Sequence, residues 1–244
     1  MGKVIAVCTS DRKGLQKHDV NTAHFSAEWG IDGDAHAGNW HRQVSLLSAD
    51  KIEAFNKRGA NVIPGAFGEN LVVEGFDFRA LPVGTLLRCG DVLLEMTQIG
   101  KECHSHCEIY KKMGECIMPR EGVFARVIEP GSISVGDEMS IEKREGHFPW
   151  QAAVITLSDK AAAGERKDES GPAIAKRLRE ASYEVVEEIV IHDDERVLKQ
   201  QLIRLCDQRQ LDLIRTTGGT GCSARDITPE ATLAIADKNV PGIA

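Results

Sequence analysis

The run AAVITL at 152–157 constrains the fold more than any other stretch, because an uninterrupted apolar segment of strand length suits a strand covered on both faces. Beyond it, helical and extended patterns alternate. Ser170-Gly171-Pro172 opens a helix over AIAKRLREA, with Pro172 suited to a first helical turn. YEVVEEIVI then reads as a strand, Asp193-Asp194 as a cap, ERVLKQQLIRLCDQR as a helix and LDLIR as a third strand. The order βαβαβ predicts a parallel sheet with helices around it.

The first ~145 residues obey a different rule, and a length of 244 residues accommodates two ordinary domains. Short apolar runs at 3–8 (KVIAVC) and 43–47 (QVSLL) have strand length, and TLLR at 85–88 and VLLEMT at 92–97 flank a tight-turn signal at Cys89-Gly90-Asp91. Gly136-Asp137 starts another turn of that kind into EMSIEK. Ser48 is placed to cap a helix over ADKIEAFNKRG, with Gly59 as its stop, and CEIYKKMG reads as a second short helix. Many short strands with Gly-rich turns predict a barrel or sandwich. The expected organisation is a mixed fold: a β-barrel-type domain over 1–143, a linker over 144–150 (within REGHFP and its flank), and an α/β domain over 151–244.

Charge argues against nucleic acid as a partner. The net charge is −7, and the excess is acidic on both sides of Trp150, with 17 basic against 21 acidic residues before it and 13 against 16 after. No stretch reaches ~18 apolar residues, and the start, MGKVIAVCTSDRKG, lacks the long apolar segment of a signal peptide, so no membrane span is expected. Seven unevenly placed cysteines read as thiols in a reducing, cytoplasmic setting.

After the third strand comes Thr216-Thr217-Gly218-Gly219-Thr220-Gly221, then Cys222 and, further on, Asp226, Thr228 and Pro229. A glycine-rich turn at the carboxyl end of a parallel strand lets backbone N–H groups approach an anion, and the helix opened by Pro229 adds its positive end. Asp226 is placed to hold Mg²⁺ on a nucleotide; Asp194 is a second acid, with a helix N-cap as its plainer role. The stretch TTGGTG-x-x-x-RD-I-T-P-E, preceded by ITLSDKAAAGERKDESGP, closely resembles the molybdopterin adenylyltransferase family of MogA/MoaB-like proteins. That resemblance implies transfer of AMP from Mg·ATP to the terminal phosphate of molybdopterin. It implies that Ser158 and Asp159 form the family's S-D pair, that Asp194 is the acid near the nucleotide, and that Thr217 and Gly218 to Gly221 cradle the anion, followed by Asp226 and Thr228. Arg215 stands where the family has an apolar strand residue, so a distorted or exposed strand end is expected, and the family continues beyond the point where this sequence stops.

Residues 97–127 carry Cys103, His104, His106, Cys107 and Cys116. Three readings are open. Thiolates and imidazoles are zinc ligands, although C-x₃-C and C-x₈-C are not the usual spacings. Buried free cysteines packing as small hydrophobes are the second reading. A reactive Cys103 thiol, with Lys101, His104, Arg120 and Arg126 near it in sequence, is the third. GDAHAGNWHRQVSLL, GAFGENL, LPVGTLLRCGDVLLEMTQIGKEC and PGSISVGDEM together resemble a MOSC domain, the β-barrel module of molybdenum-cofactor sulfurases. The resemblance implies cofactor binding, with Cys103 as the sulfur-carrying residue and a molybdenum ligand, and His36, Arg42, Asn70 and Arg126 lining the site.

Together the two resemblances imply molybdenum-cofactor biosynthesis, with molybdopterin or its molybdenum form and Mg·ATP as ligands and no role for pyridoxal phosphate. A non-catalytic carrier or sulfur-transfer protein and a molybdenum-dependent reductase module are the alternatives. A molybdenum-insertion protein, a recipient molybdoenzyme and a further copy of the chain are the macromolecular partners such a role would involve.

Overall fold

A computed structural model describes residues 1–102, 108–143 and 149–240. The chain divides into two compact units, Met1–Glu145 and Gly146–Ala244. Most of the expected linker, 144–148, lies outside the described residues.

The first unit runs β1 (Gly2–Thr9), β2 (His18–Asp19), β3 (Thr22–Ser26), β4 (Gly30–Ile31), β5 (Val44–Ser48), α1 (Ala49–Lys57), β6 (Leu71–Glu74), β7 (Leu86–Cys89) and β8 (Val92–Ile99). It continues with α2 (Glu108–Met113), α3 (Met118–Glu121), β9 (Val123–Glu129), β10 (Gly131–Ser134) and β11 (Glu138–Glu142). Seven strands in the order β11-β7-β8-β9-β5-β6-β1 close into a barrel through pairing of β1 with β11, and β2 is added beside β1. Within it β5 and β6 run parallel. A smaller sheet, β10-β3-β4, completes the unit.

Alternation along the wall strands separates two cores. Val7, Leu46, Leu71 and Val123 point into the barrel, whereas Cys8, Leu47, Val72 and Phe124 point outward into a second apolar layer with Ile52 and Phe55 of α1 and Met118 of α3. Both faces of these strands are thus dry, which is why they read as nearly continuous apolar runs.

Three local expectations take a different form. The β7–β8 hairpin turns on two residues, Gly90 and Asp91, because Cys89 still pairs with Val92; Gly90 supplies φ +56°. The Gly136-Asp137 turn, in contrast, closes no hairpin. It carries the chain from β10 in the small sheet to β11 in the barrel, with the Asp137 carboxylate accepting from Ser134 N–H at 2.8 Å. Ser48 occupies the N-cap position of α1 without a side-chain capping bond.

The second unit runs β12 (Gln151–Leu157), α4 (Asp159–Ala162), α5 (Ser170–Glu180), β13 (Glu184–Ile191), α6 (Glu195–Ile203), a π turn at Arg204–Gln208, β14 (Leu213–Thr217) and α7 (Thr228–Leu233). The strands are parallel in the order β13-β12-β14, which is the expected βαβαβ arrangement. Central β12 is buried along Ala152–Ile155; Ala153, Ile155 and Leu157 pack on Leu198, Leu202 and Leu205 and on Ala231 of α7. Arg215 is exposed but sits in regular register opposite Val154, so β14 is not distorted there. Among the described residues, no helix is long and apolar enough to cross a membrane.

Leu198 is fully buried in the second unit's core. Leu198→Ala removes apolar contact and leaves a void, so a loss of ~2–5 kcal/mol of stability is expected in urea unfolding of the full chain.

Candidate functional site

In the second unit the parallel strands end side by side, with Leu157 opposite Ile191 and Thr156 opposite Thr217. Ligands of open α/β sheets bind at such carboxyl ends. The chain leaves β14 through Gly218 at φ +87° and Gly219 at φ +60°, a region that disfavours side chains. Space reinforces the requirement: a Cβ on Gly218 would lie 2.1 Å from the Leu157 carbonyl oxygen. Thr228 locks the turn, its hydroxyl donating to Gly218 O at 2.9 Å and its N–H to Gly219 O at 3.0 Å. Thr217 is half-buried at the end of β14, and Thr220 is exposed.

Acids surround this turn in different roles. Asp226 folds back on its own loop. The Ser223 hydroxyl and N–H, with the Gly221 N–H, hold its carboxyl below the ordinary value. Ser158 caps α4 by accepting from Ala161 N–H and takes a bond from Arg166 at 3.1 Å. Asp159 and Asp193 clasp each other: each accepts the other's backbone N–H at 3.3 Å. Partial desolvation pushes the Asp159 carboxyl upward, but the Asp193 N–H, the His192 ring and the paired Arg225 guanidinium outweigh it and hold it below its usual value.

Asp194 has a separate place. It is the N-cap of α6, accepting from Val197 N–H at 2.9 Å. The acid beside the glycine turn is Asp193, whose Oδ1 is buried without a hydrogen-bond partner among the described residues and lies 3.4 Å from where a Gly219 Cβ would sit. Sequence reasoning read Asp193 only as half of the cap.

No group of three or more His, Cys, Asp or Glu side chains able to hold a metal occurs among the described residues.

The first unit carries a polar rung across the outer face of its barrel wall. Cys8 N–H donates to Asn70 O and Asn70 N–H to Ser45 O; Ser45 pairs with Phe124, and Phe124 with Gln98. Asn70 ties the rung, its Oδ1 accepting from Ser45 N–H and Oγ, its Nδ2 donating to Cys8 O and Asp34. The 32–43 loop covers this face: the Arg42 guanidinium lies 4.7 Å from the Trp40 ring centroid and 5.5 Å from that of Phe124. Just before β8 ends its register shifts between Met96 and Gln98, where Thr97 Oγ donates to His41 O and Gln98 meets the His41 ring at 2.9 Å. Arg126 lies across from Glu95 and donates to it at 2.7 Å.

Behind His36 is a buried ion pair that sequence reasoning also missed. Lys17 and Asp34 side chains are each 1% exposed, with Nζ–O distances of 3.0 and 2.8 Å. Burial pushes the Asp34 carboxyl upward, but the His36 and Lys17 contacts more than reverse it and hold it far below the usual range. Burial is also what lowers the Lys17 ammonium, against the pull of Asp34. Glu69, buried too, is raised by desolvation while its carboxylate accepts from Gly65 and Phe67 N–H.

Burial pushes the Cys8 thiol up to about 12, with Glu69 and Asp19 adding to the rise, and that of Cys89 to about 12, so neither is a thiolate at neutral pH. Cys103, together with His104, His106 and Cys107, lies outside the described residues; Cys116 is half-buried.

Residues 32–140 match the family model of the MOSC domain, and residues 153–244 that of the probable molybdopterin binding domain. Over 92 residues the chain is 45% identical to the molybdopterin adenylyltransferase of Helicobacter pylori strain J99, which covers 36% of this chain and 52% of that protein. It is 39% identical over 92 residues to the molybdopterin adenylyltransferase of Escherichia coli K12, 36% and 47% of the two chains. The chain thus spans about half the length of the curated relatives it matches. The crystal structure of the YUAD protein from Bacillus subtilis aligns with a TM-score of 0.50 at 20% identity, over 59% of this chain and 98% of that one, a likeness of fold.

Removing Lys17 alone leaves a buried carboxylate uncompensated. Lys17→Met is expected to destabilise the chain by ~3–5 kcal/mol in urea titration; a change below ~1 kcal/mol would contradict a buried, charged pair.

Proposed function

We propose that this chain, which carries a MOSC domain followed by a domain of the molybdopterin-binding family, works in molybdenum-cofactor biosynthesis, its second unit transferring AMP from Mg·ATP to the terminal phosphate of molybdopterin. The observation that carries this reading is the Gly218-Gly219 turn, shaped so that only glycine fits, with Asp159 and Asp193 beside it at the ends of parallel strands. Identity of 45% to an adenylyltransferase over this region supports the choice of reaction.

Chemically, an oxygen of the pterin phosphate attacks the α-phosphorus of ATP. A new P–O–P bond forms, the bond to the bridging β-phosphate oxygen breaks, and pyrophosphate leaves with the electron pair. No covalent protein nucleophile is required, so positioning and charge neutralisation do the work. Backbone N–H groups of the glycine turn would receive a phosphate, and Thr228 and Asp226 hold that turn rigid. Asp193, with a buried oxygen lacking a partner among the described residues, and Asp159 would face the cation and its phosphates. Mg²⁺ would supply neutralisation of charge developing on the leaving pyrophosphate.

In the first unit, His36, Arg42 and Arg126 would meet the pterin or its molybdenum form, with Cys103 carrying sulfur or binding molybdenum, while Asn70, buried with both ends of its amide engaged, would hold the wall behind them. Held on one chain, the two units keep a scarce intermediate at high effective concentration.

Anaerobic incubation of the purified chain with molybdopterin and Mg·ATP, following pyrophosphate and adenylylated pterin, checks the reaction. Turnover is expected, reduced by about 10²-fold or more in Asp193→Asn. Asp194→Ala should instead keep turnover while losing ~1 kcal/mol of stability as a helix cap. No pyrophosphate from the wild-type chain, or turnover lost in Asp194→Ala but kept in Asp193→Asn, would contradict the assignment.

A further inference from the structure

Asp34 gathers donors to a degree that a simple loop anchor does not need. Its Oδ2 accepts from Ser10 N–H at 3.2 Å, Asn70 Nδ2 at 3.2 Å and Lys17 Nζ at 2.8 Å; its Oδ1 accepts from Lys17 Nζ at 3.0 Å and His36 N–H at 2.9 Å. The two backbone donors reach different oxygens, so an asparagine could meet only one of them, yet a buried ion pair is often no more stabilising than apolar residues of the same volume. What the ammonium does accomplish is to keep the carboxylate ionised in a dry place. An ionised carboxylate only accepts, so every polar atom facing it has to present a proton.

One such atom is Nδ1 of the His36 ring, 3.5 Å from Asp34 Oδ1. That nitrogen is buried and has no other partner among the described residues, while 35% of the His36 side chain is exposed. Some other part of the side chain therefore reaches solvent. A 3.5 Å separation is long for a settled hydrogen bond, and contacts of this kind commonly tighten when a ligand seats.

We propose that the buried Lys17–Asp34 pair is the positioning element for His36: it holds the neutral ring as the Nδ1–H tautomer and turns the Nε2 lone pair outward to accept an N–H or O–H of the bound pterin. This rests on the proposed function, in that His36 belongs to the first unit's pterin site. Lys17 and Asp34 act only through His36; neither touches ligand. A free histidine side chain in water favours the Nε2–H tautomer slightly, so the carboxylate selects the form that accepts at Nε2.

Two readouts on the full chain test this. ¹⁵N NMR of histidine-labelled protein above pH ~8, where an unperturbed imidazole is neutral, with the His36 signals identified by their loss in His36→Gln, is expected to show Nδ1 protonated and Nε2 unprotonated. The Nε2–H tautomer in the wild type would overturn the proposal, and this result depends on no ligand. The second readout is a double-mutant cycle on anaerobic molybdopterin binding, in a background of Gly218→Ala to silence the second unit. Asp34→Asn is expected to weaken binding roughly tenfold, about one hydrogen bond, and to have no further effect once His36 is Gln. An equal loss with and without His36 would overturn the positioning role. If molybdopterin binds to neither unit of the wild-type chain, the proposed function fails, while the tautomer still decides the geometry.

Discussion

Where a strand ends, its backbone N–H groups lose their ladder partners, and each one left unmet in a dry environment costs ~1–3 kcal/mol. In both units carboxylates take over those donors. Asp34 accepts from Ser10 just past β1 and from His36; Glu69 accepts from Gly65 and Phe67 ahead of β6. In the second unit Asp159 and Asp193 exchange bonds between the ends of β12 and β13, and Asp226 takes the N–H of Ser223 after β14. The loops that carry chemistry are shaped by this need before any ligand arrives.

That arrangement has a functional consequence. A carboxylate engaged by backbone is fixed in position, and fixed charge at a site needs no reorganisation during reaction. Asp193 is held in this way: Oδ2 is used by Asp159 N–H, and Oδ1 remains buried beside Gly219. Gly218 and Gly219 are required at this turn because a Cβ at the first would collide with the Leu157 carbonyl and one at the second would crowd Thr228 and Asp193. Asp34 is the counterpart in the first unit, kept ionised by Lys17 and read out through His36.

The α/β unit was legible almost throughout because its central strand is buried on both faces and α4 and α6 carry ordinary side-chain caps. AAVITL became β12, Pro172 falls in the first turn of α5, and the Gly218-Gly219 turn stands at the end of β14. The barrel was legible as a class but not as a topology. Nothing local distinguishes a Gly136-Asp137 turn that closes a hairpin from one that crosses between sheets, since the deciding contacts are β11 with β7 and β1. Lys17 and Asp34 escaped notice for the same reason: a lysine in a polar loop reads as solvated, and only the close approach of Gly65, whose Cβ would lie 2.2 Å from Lys17 O, shows the chain drawn inward. At Asp193-Asp194 the pattern marked both residues as a cap, but Asp194 alone caps α6, while Asp193 turns back to Asp159 and Gly219.

The central claim is that one chain holds two separate pterin sites, one in each unit. Anaerobic equilibrium titration of the intact chain with molybdopterin, read as moles bound per mole of chain, tests it most directly. Two equivalents are expected in the wild type, falling to one in Gly218→Ala while the barrel unit's site persists. A single equivalent in the wild type would contradict two sites.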